Sequence, residues 1–124
     1  MATAADIEAM RHLVREVPAA SNVIDYALRI VRASRPGGTA EDGVPAAIRQ
    51  WVKWGAGPRA GQALIVGAKA RALLDGRAVT SPDDIRAVAL PVLRHRVLLN
   101  FQAEADGIDA EQIVGRLLEA VPAP

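Results

Sequence analysis

Apolar side chains recur at helical spacing in five segments of this chain, and that pattern restricts the possible folds strongly. Apolar residues three and four positions apart form one face of an α-helix, whereas a half-buried strand alternates apolar and polar residues. The helical pattern covers residues 6–17, 22–34, 58–74, 82–95 and 109–121. It predicts an all-α fold with minimal strand content.

The composition agrees with a core of closely packed helices. Hydrophobic residues make up 51% of the chain, but the aromatic ones are only two tryptophans, one tyrosine and one phenylalanine. A length of 124 residues suits one domain with a single modest core. Residues 46–54 fit either a short helix or a strand, and we favour the helix. We therefore expect residues 1–124 to form one bundle of five to six helices.

Two helix starts are marked clearly in the sequence. Gly57-Pro58 and Ser81-Pro82 place a capping residue before a proline, which fits the first helical position. Asp83 and Asp84 follow Pro82 in the first turn, so helix capping explains them better than a metal pair. In the helix that begins at Pro58, the expected buried stripe consists of Ala63, Val66, Ala70, Leu73 and Leu74.

Arg59 lies in the first turn of the helix that begins at Pro58, where a cation is locally unfavourable. The N-terminus of a helix already carries about half a positive charge. Backbone N–H groups, the helix dipole and an arginine together favour an anion such as a phosphate. We therefore predict that Gly57, Pro58 and Arg59 bind a nucleotide phosphate. The alternative is a solvated arginine that pairs with a nearby acid.

The segment Gly55–Ala60 also matches the G-x-G-x-x-A pattern of dinucleotide-binding folds, and Asp75 lies at a suitable distance after it. That fingerprint needs a preceding strand and a βαβ unit, whereas helices surround it here, so we reject it. A G-x-x-x-x-G-K-[ST] phosphate loop is absent from the chain. If Arg59 binds a phosphate, another domain must therefore hold most of the nucleotide.

Composition argues against several other functional classes. The net charge is +1, which does not favour nucleic-acid binding, and there is no cysteine for a disulfide or a thiolate metal site. The two histidines lie far apart in sequence, so we expect no metal. No convincing nucleophile–base pair or pair of carboxylates indicates catalysis by this chain alone. Without a membrane span or a signal peptide, the expected location is the cytoplasm.

Two further groups of residues have competing interpretations. Arg94-His95-Arg96 lies at the C-terminal end of a helix, where positive charge complements the dipole. One interpretation is helix capping together with an ion pair to a neighbouring acid. The alternative is an interface with another domain or subunit. Trp51 and Trp54 more often anchor a short element on the core than stack on a ligand.

Several short motifs occur in an order that matches a known family. Gly55-Ala56-Gly57-Pro58-Arg59-Ala60 is similar to a Gly-Ala-Ser-Pro-Arg-Ala motif, with Gly57 in place of the serine, and Ser34-Arg35 stands in place of a threonine–arginine pair. From about Asp6 onward, the chain resembles the C-terminal helical lid of MoxR-type AAA+ ATPases. The other matching segments are Val23-Ile24-Asp25-Tyr26, Ala68-Lys69-Ala70, Gly76-Arg77, Val79 with Pro82-Asp83-Asp84, and Val92-Leu93-Arg94-His95-Arg96.

This resemblance implies that Arg59 is the sensor 2 residue, which has a catalytic role at the γ-phosphate of ATP. ATP and Mg²⁺ would be bound by an α/β domain of the parent protein, which contains the phosphate loop and is absent from this chain. The implied partners are that domain, neighbouring subunits of a hexameric ring, and proteins with von Willebrand factor A domains. The implied activity is chaperone-like remodelling or maturation of partners, driven by ATP hydrolysis.

Two alternatives remain open at the level of sequence. One is a free-standing helical module that binds a protein partner through the arginine-rich region around His95. The other is a helical nucleic-acid binder that uses its arginines, although the nearly neutral net charge disfavours it.

Overall fold

The computed structural model describes every residue from Met1 to Pro124. It contains seven α-helices, one two-stranded antiparallel sheet and a 3₁₀ turn at Ala40–Asp42. The strands are β1 (Val52–Trp54) and β2 (Leu98–Leu99). The helices are α1 (Ala4–Glu16), α2 (Ser21–Ala33), α3 (Ala46–Trp51), α4 (Pro58–Leu74), α5 (Pro82–Leu93), α6 (Phe101–Ala105) and α7 (Ala110–Ala120).

The predicted all-α class with minimal strand content is confirmed, but the helix count of five to six is too low. Helix α6 has only five residues, so its apolar spacing is too short to show a helical period. The helix favoured for residues 46–54 is correct only as far as Trp51. Val52 and Trp54 instead pair with Leu99 and Leu98, which are partners distant in sequence.

The predicted helix starts are confirmed. Helix α4 begins at Pro58 after Gly57, which has the extended backbone of a cap residue. Helix α5 begins at Pro82, and Ser81 and Asp84 form a reciprocal capping box before it. The connection between α4 and α5 is therefore defined at both ends, by Gly76 with a positive φ of 73° after α4 and by the capping box before α5.

The core contains aliphatic side chains from α2, α4, α5 and α7, together with Tyr26. In α4, the predicted buried stripe is wrong. Val66 and Leu74 are 48% and 89% exposed, and Ala63, Ala70 and Leu73 are only partly buried. Helix α4 has apolar residues on several faces, so the sequence period does not show which face is buried. The face that packs closely against α2 and α5 is the one that contains most of the small residues. The buried residues are Ala60, Gly61, Leu64, Ala68 and Ala72.

A buried carboxylate joins the end of α4 to the start of α5. Asp84 is 1% exposed, and its Oδ2 accepts hydrogen bonds from Arg77 Nη1 at 2.8 Å and from the Ser81 backbone N–H at 2.8 Å. Arg71 Nε lies 3.5 Å from Asp84 Oδ1. The hydrogen bonds from Arg77 are the main reason why the pKa of Asp84 falls to about 2. This aspartate therefore has a structural role, as its capping position predicted.

Candidate functional site

The start of α4 leaves an arginine in solvent at the positive end of a helix. Gly57, Pro58 and Arg59 are all exposed, and no side chain caps this end of the helix. The Arg59 side chain makes no hydrogen bond and no ion pair within the chain. The alternative was a solvated arginine that pairs with a nearby acid; the exposure to solvent is present, but the ion pair is not. Helix dipole and guanidinium together make this end of α4 attractive to an anion.

The loop before Arg59 is held against the end of α2. Ser34 Oγ accepts a hydrogen bond from the Ala56 backbone N–H at 3.0 Å and donates one to the Val31 carbonyl at 2.6 Å. Arg35 Nε donates to the Ala56 carbonyl at 3.0 Å. Both backbone groups of Ala56 are thus bonded to consecutive residues of one helix end. We call Ser34 and Arg35 the α2 clamp.

Gly55 makes this close approach possible. A Cβ atom at this position would lie 2.7 Å from the Cα atom of Arg35 and would also overlap the Ser34 carbonyl oxygen. Real Cβ atoms do not approach backbone this closely, so a side chain here would push the loop away from α2. The first glycine of the G-x-G pattern therefore has a packing role, which agrees with our rejection of the dinucleotide fingerprint.

A positively charged depression adjoins this loop. It has a volume of about 400 Å³, and both Arg35 and Lys53 line it. No acidic residue contributes to its wall, which consists of Arg35, Pro36, Gly37, Lys53, Trp54, Gly55, Ala56 and Gly57. The surroundings of the α4 start therefore also favour an anionic ligand.

The two tryptophans have different environments. Trp51 Nε1 donates to Asp106 Oδ2 at 2.8 Å, and the Arg116 guanidinium lies 5.3 Å from the centre of the Trp51 ring. This partly buried residue is an anchor, as predicted. Trp54 is 65% exposed, because an irregularity in the pairing of β1 leaves both Lys53 and Trp54 on the surface. The anchoring prediction is wrong for Trp54.

The predicted interface residues lie near the same end of the domain as Arg59. Trp54, before α4, pairs with Leu98, which soon follows α5, so the end of α5 lies beside the start of α4. Arg94, His95 and Arg96 are all exposed there. Arg96 Nη1 donates to the Val92 carbonyl at 2.7 Å, which is the predicted capping role. The predicted ion pair with a neighbouring acid is absent, since none of the three residues forms one. The exposed side chains of Arg94 and His95 are therefore accessible to a partner.

The residues around the start of α4 contain basic side chains and no cluster of metal ligands. No group of three or more histidine, aspartate or glutamate side chains is placed to hold a metal. None of the helices combines the length and apolar character required to cross a bilayer.

The Ser34-Arg35 pair was visible in the sequence as a motif, but its contact with Ala56 was not. The hydrogen bond between Ser34 and Ala56 joins residues 22 positions apart, so no local sequence signal indicates it.

Comparison with known proteins supplies the family. Residues 45–117 match the family model described as the AAA lid domain. The chain is 37% identical over 102 residues to Chaperone MoxR1 of Mycobacterium tuberculosis, a match that covers 82% of this chain and 26% of the relative. It is 32% identical over 117 residues to Protein MoxR of Methylorubrum extorquens, covering 94% of this chain and 34% of the relative.

A solved structure agrees over almost the whole chain. The crystal structure of a protein from Cytophaga hutchinsonii, described as a proposed ATPase, superposes with a TM-score of 0.86 and 33% identity. The match covers 97% of this chain and 36% of that one, so the chain spans about a third or less of these relatives. With its helical fold and the family match, the chain belongs to the AAA lid domains of the MoxR-type AAA+ ATPases.

Proposed function

We propose that Arg59 is the sensor 2 arginine of a MoxR-type ATPase, and that this lid couples ATP hydrolysis to remodelling of partner proteins. The observation that supports the proposal is that the Arg59 side chain is free to contact a ligand. It is exposed at the positive end of α4 and makes no hydrogen bond or ion pair within the chain. Arg77, which lies just beyond the other end of α4, is in contrast bonded to the buried carboxylate of Asp84.

The chain provides only part of the proposed nucleotide site. Arg59 would donate to the γ-phosphate oxygens, where an arginine stabilises the charge that develops during phosphoryl transfer. Gly57 and Pro58 would set the start of α4 close to the phosphates. The sequence has no phosphate loop, and the structure has no cluster of metal ligands. ATP and Mg²⁺ would therefore be held by the α/β domain of the parent protein.

The same contact offers a reason for movement of the lid. Arg59 would bind ATP better than ADP, because only ATP has the γ-phosphate that it contacts. A ligand shifts a conformational equilibrium only by its difference in affinity between the two states. Loss of the γ-phosphate would therefore release the start of α4 and allow the lid to separate from the α/β domain.

The wider setting of the lid is also part of the proposal. Arg94, His95 and Arg96 would contact the neighbouring subunit of a hexameric ring in the cytoplasm, because they lie exposed near the start of α4. One relative is named a chaperone, which supports a remodelling activity of the parent on partner proteins. Proteins with von Willebrand factor A domains are the proposed partners. The family match favours this role over a free-standing interaction module or a nucleic-acid binder.

Chemical modification of arginines in the full-length protein tests the contact. We expect a non-hydrolysable ATP analogue with Mg²⁺ to protect Arg59 from an arginine-selective reagent, and Mg-ADP to protect it much less. Peptide mass spectrometry measures the modified fraction at each site. Arg32 is the matched control, because it is also exposed and its side chain makes no hydrogen bond. Equal modification of Arg59 with both nucleotides would rule out a γ-phosphate contact.

A further inference from the structure

The α2 clamp holds the loop before Arg59 at two consecutive points. Ser34 accepts from the Ala56 N–H and Arg35 donates to the Ala56 carbonyl, both at 3.0 Å. Three residues later in the chain is Arg59. Since Gly55 packs directly on the Ser34–Arg35 backbone, no space remains for the loop to move toward α2.

The base of the clamp is itself well anchored. Ser34 is fully buried, and its hydroxyl also bonds to the Val31 carbonyl. Earlier in α2, the fully buried Tyr26 donates its hydroxyl hydrogen to the Val121 carbonyl at 3.1 Å and accepts a hydrogen bond from Arg86. Helix α2 is thereby attached to both α5 and the end of α7. The clamp therefore fixes the start of α4 relative to the body of the domain.

We infer that Ser34 and Arg35 are positioning residues for Arg59, and that they determine how well it reaches the γ-phosphate during ATP hydrolysis. This inference rests on the proposed sensor 2 role. An arginine is effective at a transferring phosphoryl group only in the correct geometry, and small displacements reduce the rate strongly. A single backbone unit that is bonded at both its N–H and its carbonyl cannot rotate without breaking one of the two bonds.

Substitution of Arg35 distinguishes an effect on the position of Arg59 from an effect on folding. Its side chain is exposed and contributes one hydrogen bond, so its loss costs only about 1 kcal/mol and leaves the fold intact. Ser34 is buried, and its replacement by alanine leaves the Ala56 N–H without its partner. Arg35→Ala is therefore the main test variant. Ser34→Thr keeps the hydroxyl and should restore what Ser34→Ala loses.

The experiment is single-turnover ATP hydrolysis by the full-length protein. We expect Arg35→Ala to lower the rate by about fivefold to tenfold, the equivalent of one lost hydrogen bond, while the melting temperature falls by no more than a few degrees. Ser34→Ala should slow turnover similarly and speed hydrogen exchange at the Ala56 amide, whereas Ser34→Thr should match the original protein. Arg32→Ala, one turn earlier on α2, is the control and should have no effect.

A double-mutant cycle decides whether the clamp acts through Arg59. If it does, Arg35→Ala slows turnover in the original protein but has no further effect in the Arg59→Ala background. Equal slowing by Arg35→Ala in both backgrounds would overturn the positioning role. Normal turnover of Arg35→Ala, with impaired turnover of Arg59→Ala, would also overturn the positioning role but would leave the sensor 2 role intact. Normal turnover of Arg59→Ala would overturn both proposals.

Discussion

Replacing Arg59 with alanine is expected to lower ATP turnover of the full-length protein by about a hundredfold. An arginine at a transferring phosphoryl group, or a donor to a developing oxyanion, typically contributes a hundredfold or more to the rate. Steady-state phosphate release measures the change. Because the Arg59 side chain makes no hydrogen bond or ion pair with the chain, the melting temperature should remain within about 1 °C.

The control for this substitution is Arg32→Ala, which removes another exposed arginine from a different helix. It should leave turnover unchanged. Arg59→Lys keeps the positive charge but lacks the planar group with two parallel donors, so we expect it to recover only part of the rate. An Arg59→Ala protein with normal turnover would refute the catalytic role.

Replacing Asp84 with alanine is expected to destabilise the lid by about 2–3 kcal/mol, the loss of charge-assisted hydrogen bonds and of a helix cap. The change removes the carboxylate that caps α5 and the bidentate partner of Arg77, which is partly exposed and keeps its bond to Asp75. Urea unfolding, followed by circular dichroism, measures the loss. Asp83→Ala is the matched control, because Asp83 is exposed in the same helical turn and forms none of these bonds. A loss below about 1 kcal/mol for Asp84→Ala would contradict the structural role.

The same carboxylate predicts a pH dependence. Its pKa is lowered to about 2 in the folded protein from 3.8. A lowered pKa stabilises the fold above pH 3.8, and this contribution disappears as the pH falls from about 4 to about 2. Over that range, the original protein should lose about 2 kcal/mol more stability than Asp84→Asn. Asp6 and Asp106 also have lowered pKa values, but they titrate in both proteins and cancel in the comparison.

The fold was largely predictable because its helices have local signals. Gly57-Pro58 and Ser81-Pro82 mark their helix starts through caps and a proline, whose effects depend only on neighbouring residues. The pairing of β1 with β2 was not predictable, since two- and three-residue strands show no period and find each other only in the folded chain. The buried face of α4 was predicted wrongly, because small and large apolar residues surround this helix.

The candidate site was predictable in part. Arg59 was identified because a cation in the first turn of a helix contradicts the dipole, and such a conflict between local rules often marks a functional residue. Its lack of an intrachain partner could be known only from the structure. The contacts of Ser34 and Arg35 with Ala56 needed the structure as well, because nothing in the sequence shows which backbone unit they approach.

The most direct test of the central claim compares the binding of two nucleotides to the full-length protein. Isothermal titration with a non-hydrolysable ATP analogue and with ADP, each with Mg²⁺, measures the contribution of the γ-phosphate. If Arg59 contacts that phosphate, Arg59→Ala should weaken binding of the ATP analogue by about tenfold or more and change ADP binding by less than about twofold. Equal weakening for both nucleotides, or no change for either, would contradict the assignment of Arg59 as the sensor 2 residue.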